Sequence, residues 1–123
     1  MTQNASAGWP QESIPDNDDV FMRVHKSFVK NGEYLPGVFR DHEGGMSTNW
    51  QKYCSTAEDS RQKAKNPANN GVIRMNVGDI RRGPELVSHT PLPDDRSHTD
   101  VVGNKVTAER LRLHMLSHWA IRI

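Results

Sequence analysis

Two His-Thr pairs stand close together in one short stretch, His89-Thr90 and His98-Thr99, with Arg96 and the carboxylates Asp94, Asp95 and Asp100 between and beside them. These residue types can run phosphoryl chemistry. One imidazole takes a proton as base, the other returns one as acid, and a guanidinium steadies charge on the phosphoryl oxygens. The catalytic set this predicts is His89, Arg96, His98 and Asp100, with Arg81 and Arg82 upstream extending an anion site. A plainer reading competes. Pro91-Leu92-Pro93-Asp94-Asp95 is a turn signal, and His, Thr and Asp in loops commonly bond the loop's own backbone.

A second set is Arg23, His25 and Arg40 with the small-residue run Gly44-Gly45-Met46-Ser47-Thr48, which could receive a nucleotide or ribosyl group. The two adjacent glycines make neither a dinucleotide nor a Walker-type fingerprint. Trp50 and Tyr53 are either stacking residues for such a ligand or caps on a thin core. His114 and His118 have the i, i+4 spacing that grips a metal on a helix, but Met115 stands where a zinc-protease motif has Glu, and no third ligand is evident. Neither a metal nor a cofactor is therefore expected. Two-histidine phosphoesterases also pair His with Thr, but with a residue between them and on separate halves of the fold, so the spacing here does not match theirs.

The elements that must position these residues are drawn from a lean composition. The chain has 123 residues, 34% hydrophobic, with three Trp and a formal net charge of +1. Its Leu, Ile, Val and Phe content falls just under the roughly 20% at which disorder sets in, but high net charge, the other half of that signature, is missing. Four acidic and no basic residues lie in 1–19, which leaves +5 on 20–123. The segment 1–19 reads as an acidic, flexible arm bearing Trp9, an aromatic of the kind that anchors interfaces, and 20–123 as one compact domain. An acidic arm detachable from a basic body would suit an autoinhibited nucleic-acid surface. The pI near 8.0 lies below the value above about 9 usual for such domains.

A single cysteine, Cys54, excludes an intramolecular disulfide framework. No apolar run approaches a bilayer span, and the first residues lack a basic, apolar leader, so a cytoplasmic location is expected.

The β-branched and aromatic run at 20–25 predicts a strand, Asn31-Gly32 a tight turn, 38–40 a short strand at best, and 41–49 a loop. Ser55 or Thr56 caps a surface helix over 57–65. Residues 72–80 make the best strand, and further strands begin at Leu86 and Val101. Over 110–123 the alternation of Leu111, Leu113, Met115, Trp119, Ile121 and Ile123 fits a strand, while Ala108, Leu111, Arg112, Met115, Leu116 and Trp119 share one helical face. The reading taken is a helix over 107–117 capped by Thr107, then a terminal strand at 119–123. The fold expected is α+β: a small, mostly antiparallel sheet, one surface helix, one amphipathic C-terminal helix and long loops.

Two functions follow. The first is an accessory subunit of an intracellular assembly of prokaryotic or phage style, with nucleic-acid handling as one form of it, which meets another protein through the arm or loops and binds through Trp9, Arg23, His25, Arg40, Arg81 and Arg82. The second is a metal-independent phosphodiesterase or nucleotide-acting enzyme with His89 and His98 as acid and base.

Overall fold

Alternation along 19–25 sends Val20, Met22 and Val24 to one side and Arg23 and His25 to the other, and the structure builds a sheet around that strand. The computed structural model describes residues 8–42 and 44–123. Strand β1 (Asp19–His25) pairs along its whole length with β5 (Asn70–Asn76). On its other side it pairs with β4 (Met46–Trp50) at only two positions, Val20↔Trp50 and Phe21↔Asn49. Strands β6 (Leu86–His89), β7 (His98–Val102) and β8 (His118–Ile121) complete an antiparallel sheet in the order β6-β7-β4-β1-β5-β8. A separate hairpin joins β2 (Val29–Lys30) to β3 (Glu33–Tyr34) through Asn31 and Gly32, at φ 54° and 81°. Both turn residues take positive φ, as the hairpin turn requires.

The main core covers one face of the sheet, with Val20, Met22, Val24, Met46, Trp50, Ile73, Met75, Val87 and Val101 on the strands. Over them lie Val77 and Ile80 of helix α2 (Val77–Arg81), Leu113 of helix α3 (Thr107–Leu116), and Tyr34 and Phe39. Helix α1 (Ala57–Gln62) lies across the other face, over a small cluster of Phe21, Cys54 and Val72. Burial there pushes the Cys54 thiol pKa up.

The sheet, the surface helix and the C-terminal helix form the α+β arrangement expected, but several boundaries differ. Residues 46–50 are an inner strand, not loop, because Thr48 and Asn49 find hydrogen-bond partners inside: the Thr48 hydroxyl donates to the Thr99 carbonyl at 3.0 Å. Residues 38–40 are not a strand; Pro36–Val38 form a 3-10 turn. The strand expected over 72–80 ends at Asn76, whose side chain accepts from the Asp79 amide at 2.9 Å and starts α2 instead. The helix expected over 57–65 stops at Gln62 and the terminal strand runs Trp119 with its neighbours as His118–Ile121.

The largest correction concerns α3. Its N-cap is Val106, without a side-chain bond, rather than Thr107. Its inner face carries Glu109 and Leu113, while Leu111 and Met115 are 49% and 85% exposed. Arg112 sets this rotation. It donates to both Glu109 carboxylate oxygens at 2.7 and 2.8 Å and to the Asp79 and Ile80 carbonyls of α2, each at 2.9 Å. Satisfying that guanidinium turns the apolar stripe outward.

Residues 8–19 lie along the body. Ile14 enters the main core, and Arg81 donates to the Ile14 carbonyl at 2.7 Å and to Asp16 at 2.6 Å. Glu12 meets Lys52, Tyr53 and Arg96; Asp18 accepts from the Trp50 indole at 2.9 Å; Asp19 meets Arg74. The first part of the expected arm, 1–7, lies outside the described residues.

Two measurements check this packing. Leu113→Ala should cost about 2–5 kcal/mol in urea unfolding, whereas Met115→Ala should stay within about 0.5 kcal/mol; the reverse order would mean the helix is rotated. Bonds from Lys52 and then Tyr53 hold the Glu12 carboxyl pKa below its ordinary value. A lowered folded-state pKa gives stability that is present above the usual glutamate pKa of about 4.3 and lost as pH falls through the folded value. Glu12→Gln should therefore flatten the acid side of the stability profile relative to the wild type.

Candidate functional site

The β1–β4 ladder stops after Phe21↔Asn49, and the residues beyond it on both strands line a cleft of about 280 Å³. Register decides which side chains reach it. Met22 and Met46 come from the core face, and Arg23, His25, Ser47 and Asn70 from the opposite face. Phe28, Val38, Arg40 and His42, from the segment between β1 and β4, close the remaining side. One wall is thus apolar and the other polar. The sequence set Arg23, His25, Arg40 and 44–48 is brought together here through Met46 and Ser47. His42 and Asn70 join it without any signal in the sequence beyond the proximity of His42 to Arg40.

Arg23 is fixed before any ligand arrives. Its Nη1 donates to the Asn49 Oδ1 at 3.1 Å and to the Ser60 carbonyl of α1 at 3.0 Å. Burial lowers its pKa, partly offset by the charge of Asp95. Asn49 itself is 3% exposed and uses its full bonding capacity. Its Oδ1 accepts from Arg23 and from the Ser60 hydroxyl at 2.7 Å, and its Nδ2 donates to Asp95 at 3.2 Å and Ser97 at 3.1 Å.

His25 Nδ1 accepts from the Ser27 amide at 3.1 Å. That bond places the ring proton of neutral His25 on Nε2 by assignment from the network. The Arg40 guanidinium lies 5.2 Å from the Phe28 ring centre, and among the described residues it makes no ion pair. Asp41 next to it is held instead by Lys105. No Asp or Glu among the described residues lines the cleft.

The other candidates are placed elsewhere. His89 pairs across from Thr99 on the core face, whereas His98 projects from the opposite face. His89 accepts at Nδ1 from the Glu12 amide at 3.0 Å and reaches the Arg96 carbonyl from Nε2 at 2.7 Å. His98 is within 3.0 Å of the Thr90 hydroxyl and carbonyl at Nδ1, and 3.3 Å from the Ser47 hydroxyl at Nε2. Both rings therefore bond their surroundings, and the two do not converge on a shared acid–base site. Asp100 stands on the His98 face, across from Ser47 and Ser88.

Arg96 does not point at an anion site. Its guanidinium stacks 4.0 Å from the Tyr53 ring centre and 4.6 Å from that of Trp9. Arg81 is occupied by Ile14, Asp16 and the Val87 carbonyl, and exposed Arg82 pairs with Asp79 of its own helix at 3.0 Å. His114 and His118 fall on α3 and β8 rather than on one helix, and His114 bonds the Tyr34 carbonyl at 2.9 Å. Among the described residues no group of three or more His, Cys, Asp or Glu is placed to hold a metal ion. No described helix is long and apolar enough to cross a membrane.

The Asn49 network generates a prediction. Asn49→Ala strands the buried Ser60 hydroxyl and takes one partner each from Arg23, Asp95 and Ser97, which keep others, and a stranded buried group costs about 1–3 kcal/mol. The variant should lose about 1–3 kcal/mol or more of stability in urea unfolding. A loss no larger than that of a surface alanine substitution would contradict the network.

Compared with protein-family models, with curated protein sequences and with solved structures, the chain matches none.

Proposed function

We propose that this protein is a small accessory subunit that docks onto another protein through the outer face of α3. The observation that carries the reading is the stripe of Ala108, Leu111 and Met115, turned to solvent by the Arg112 contacts, with exposed Val106 just before it. Apolar side chains exposed singly are ordinary, but an exposed stripe along a helix is the form in which helices present anchors to a partner. Met115 suits such a role because an unbranched thioether adapts to an uneven surface. Full burial of a Leu or Met side chain contributes about 1.5–3 kcal/mol, so the two anchors suffice to decide whether a complex survives purification.

Residues 8–19 contribute less to docking in this reading than the sequence suggests. Glu12, Asp16 and Asp19 are matched to Lys52, Arg96, Arg81 and Arg74 of the same chain, and Trp9 lies against Arg96. A reducing, intracellular setting belongs to the same proposal, in keeping with the free, buried thiol of Cys54.

The test is affinity purification of the tagged full chain at native abundance, with mass spectrometry and light scattering. One partner in stoichiometric amount is expected on the wild type and its loss on Leu111→Asp/Met115→Asp, whose fold, judged by circular dichroism and urea unfolding, stays unchanged. A monomeric wild type that retains no partner, or a partner held equally by the double variant, would overturn the reading.

A further inference from the structure

We infer that the cleft between β1 and β4 binds a nucleoside monophosphate, with the phosphate on the arginine and histidine side and the nucleoside against the apolar wall. Three observations point there together. The first is charge. Arg23 and Arg40 face a cleft whose described lining holds no carboxylate, although the chain as a whole carries nearly equal numbers of acidic and basic residues. Most other arginines near acidic groups are paired, among them Arg61, Arg74, Arg81, Arg82 and Arg112. An arginine with no counter-charge among the described residues, beside a second, immobilised one, is an arrangement that can capture phosphate oxygens, since planar guanidinium donors match their geometry.

The second observation is preorganisation. Arg23 is held through Nη1 alone; its Nε and Nη2 make no hydrogen bond to the described residues and remain available to a ligand. His25 is oriented by the Ser27 amide so that its Nε2 proton is free to donate. Rigid donors bind more tightly because less motion is lost on association.

The third is the two-sided wall. Met22 and Met46 lie opposite the polar groups, Phe28 offers an aromatic face beneath Arg40, and Ser47 and Asn70 supply the neutral polar atoms that ribose hydroxyls require. The volume of about 280 Å³ lies just below the roughly 300 Å³ at which ligand sites usually begin. It suits one nucleotide rather than a dinucleotide. Inorganic phosphate shares the anionic half of this chemistry and adenosine the other half, so both serve to separate the contributions.

The test is isothermal titration of the full chain with AMP, adenosine and inorganic phosphate in turn. AMP is expected to bind at least about tenfold more tightly than either fragment, and Arg40→Ala to weaken AMP by about tenfold or more, the loss of one charge-assisted hydrogen bond. Lys65→Ala, which removes a like charge from an exposed residue that does not line the cleft, should leave AMP binding unchanged. Arg40 makes no ion pair to the described residues, so its variant should fold normally, which thermal unfolding checks. Four results would overturn the inference: no saturable AMP binding at millimolar concentrations, phosphate binding as tightly as AMP, indifference of AMP to Arg40→Ala, or equal weakening by Lys65→Ala.

Discussion

A single buried amide ties the structure together. Asn49 gives both its amide protons to the Asp95–Ser97 turn and receives bonds from Arg23 of β1 and Ser60 of α1. Four parts of the chain that are distant in sequence are fixed to each other by one side chain of β4. In a low-dielectric interior such a network is favourable only when every member is satisfied, and Asn49 has no unused donor or acceptor. The arrangement also explains why the sheet can open. Below Asn49 the β1–β4 ladder ceases, yet Arg23 remains anchored through Asn49 and Ser60, so the two strands diverge from a fixed point and leave a cleft of defined shape.

Charge is distributed around that centre in a way the net value of +1 conceals. The acidic residues of 8–19 neutralise basic residues of the body one by one: Glu12 with Lys52 and Arg96, Asp16 with Arg81, Asp19 with Arg74. These are mostly exposed pairs, each worth little alone, and Ile14 in the core supplies the hydrophobic hold. A surplus of basic residues that reads as a nucleic-acid surface in the sequence is largely answered within the chain. Elsewhere the buried Lys105 faces Glu85 and Asp41. Burial raises the Glu85 carboxyl pKa, while Arg112 lowers that of Glu109 beside it. The helix α3 is thereby positioned by charged contacts as much as by Leu113.

How far the sequence could be read depended on the range of the interaction. Local signals were legible: the β-branched run of β1, the Asn31-Gly32 turn, the Thr56 cap and the helix-then-strand C-terminus all rest on neighbours a few residues apart. Non-local ones were not. Met46-Ser47-Thr48-Asn49 looks like loop because its polar residues become satisfiable only when Thr99, Ser97 and Asp95 are brought alongside. Of the expected α3 face, Leu116 and Arg112 turn inward but Leu111 and Met115 turn outward, because hydrophobic spacing cannot register that Arg112 must reach two carbonyls of α2. For the same reason His89 and His98, nine residues apart in one linear motif, are sent to opposite faces by a strand register that neither Pro91 nor Pro93 reveals. Arg23, His25 and Arg40 gave a weaker motif, yet topology gathers them.

The central claim is that Asn49 is the fully bonded junction of β1, β4, α1 and the turn before β7. Hydrogen exchange of its side-chain amide protons, followed by nuclear magnetic resonance, tests this most directly. The account predicts exchange slowed to nearly the rate of global unfolding, because both protons are held by Asp95 and Ser97 inside the protein. Exchange as fast as that of a solvent-exposed asparagine would contradict it.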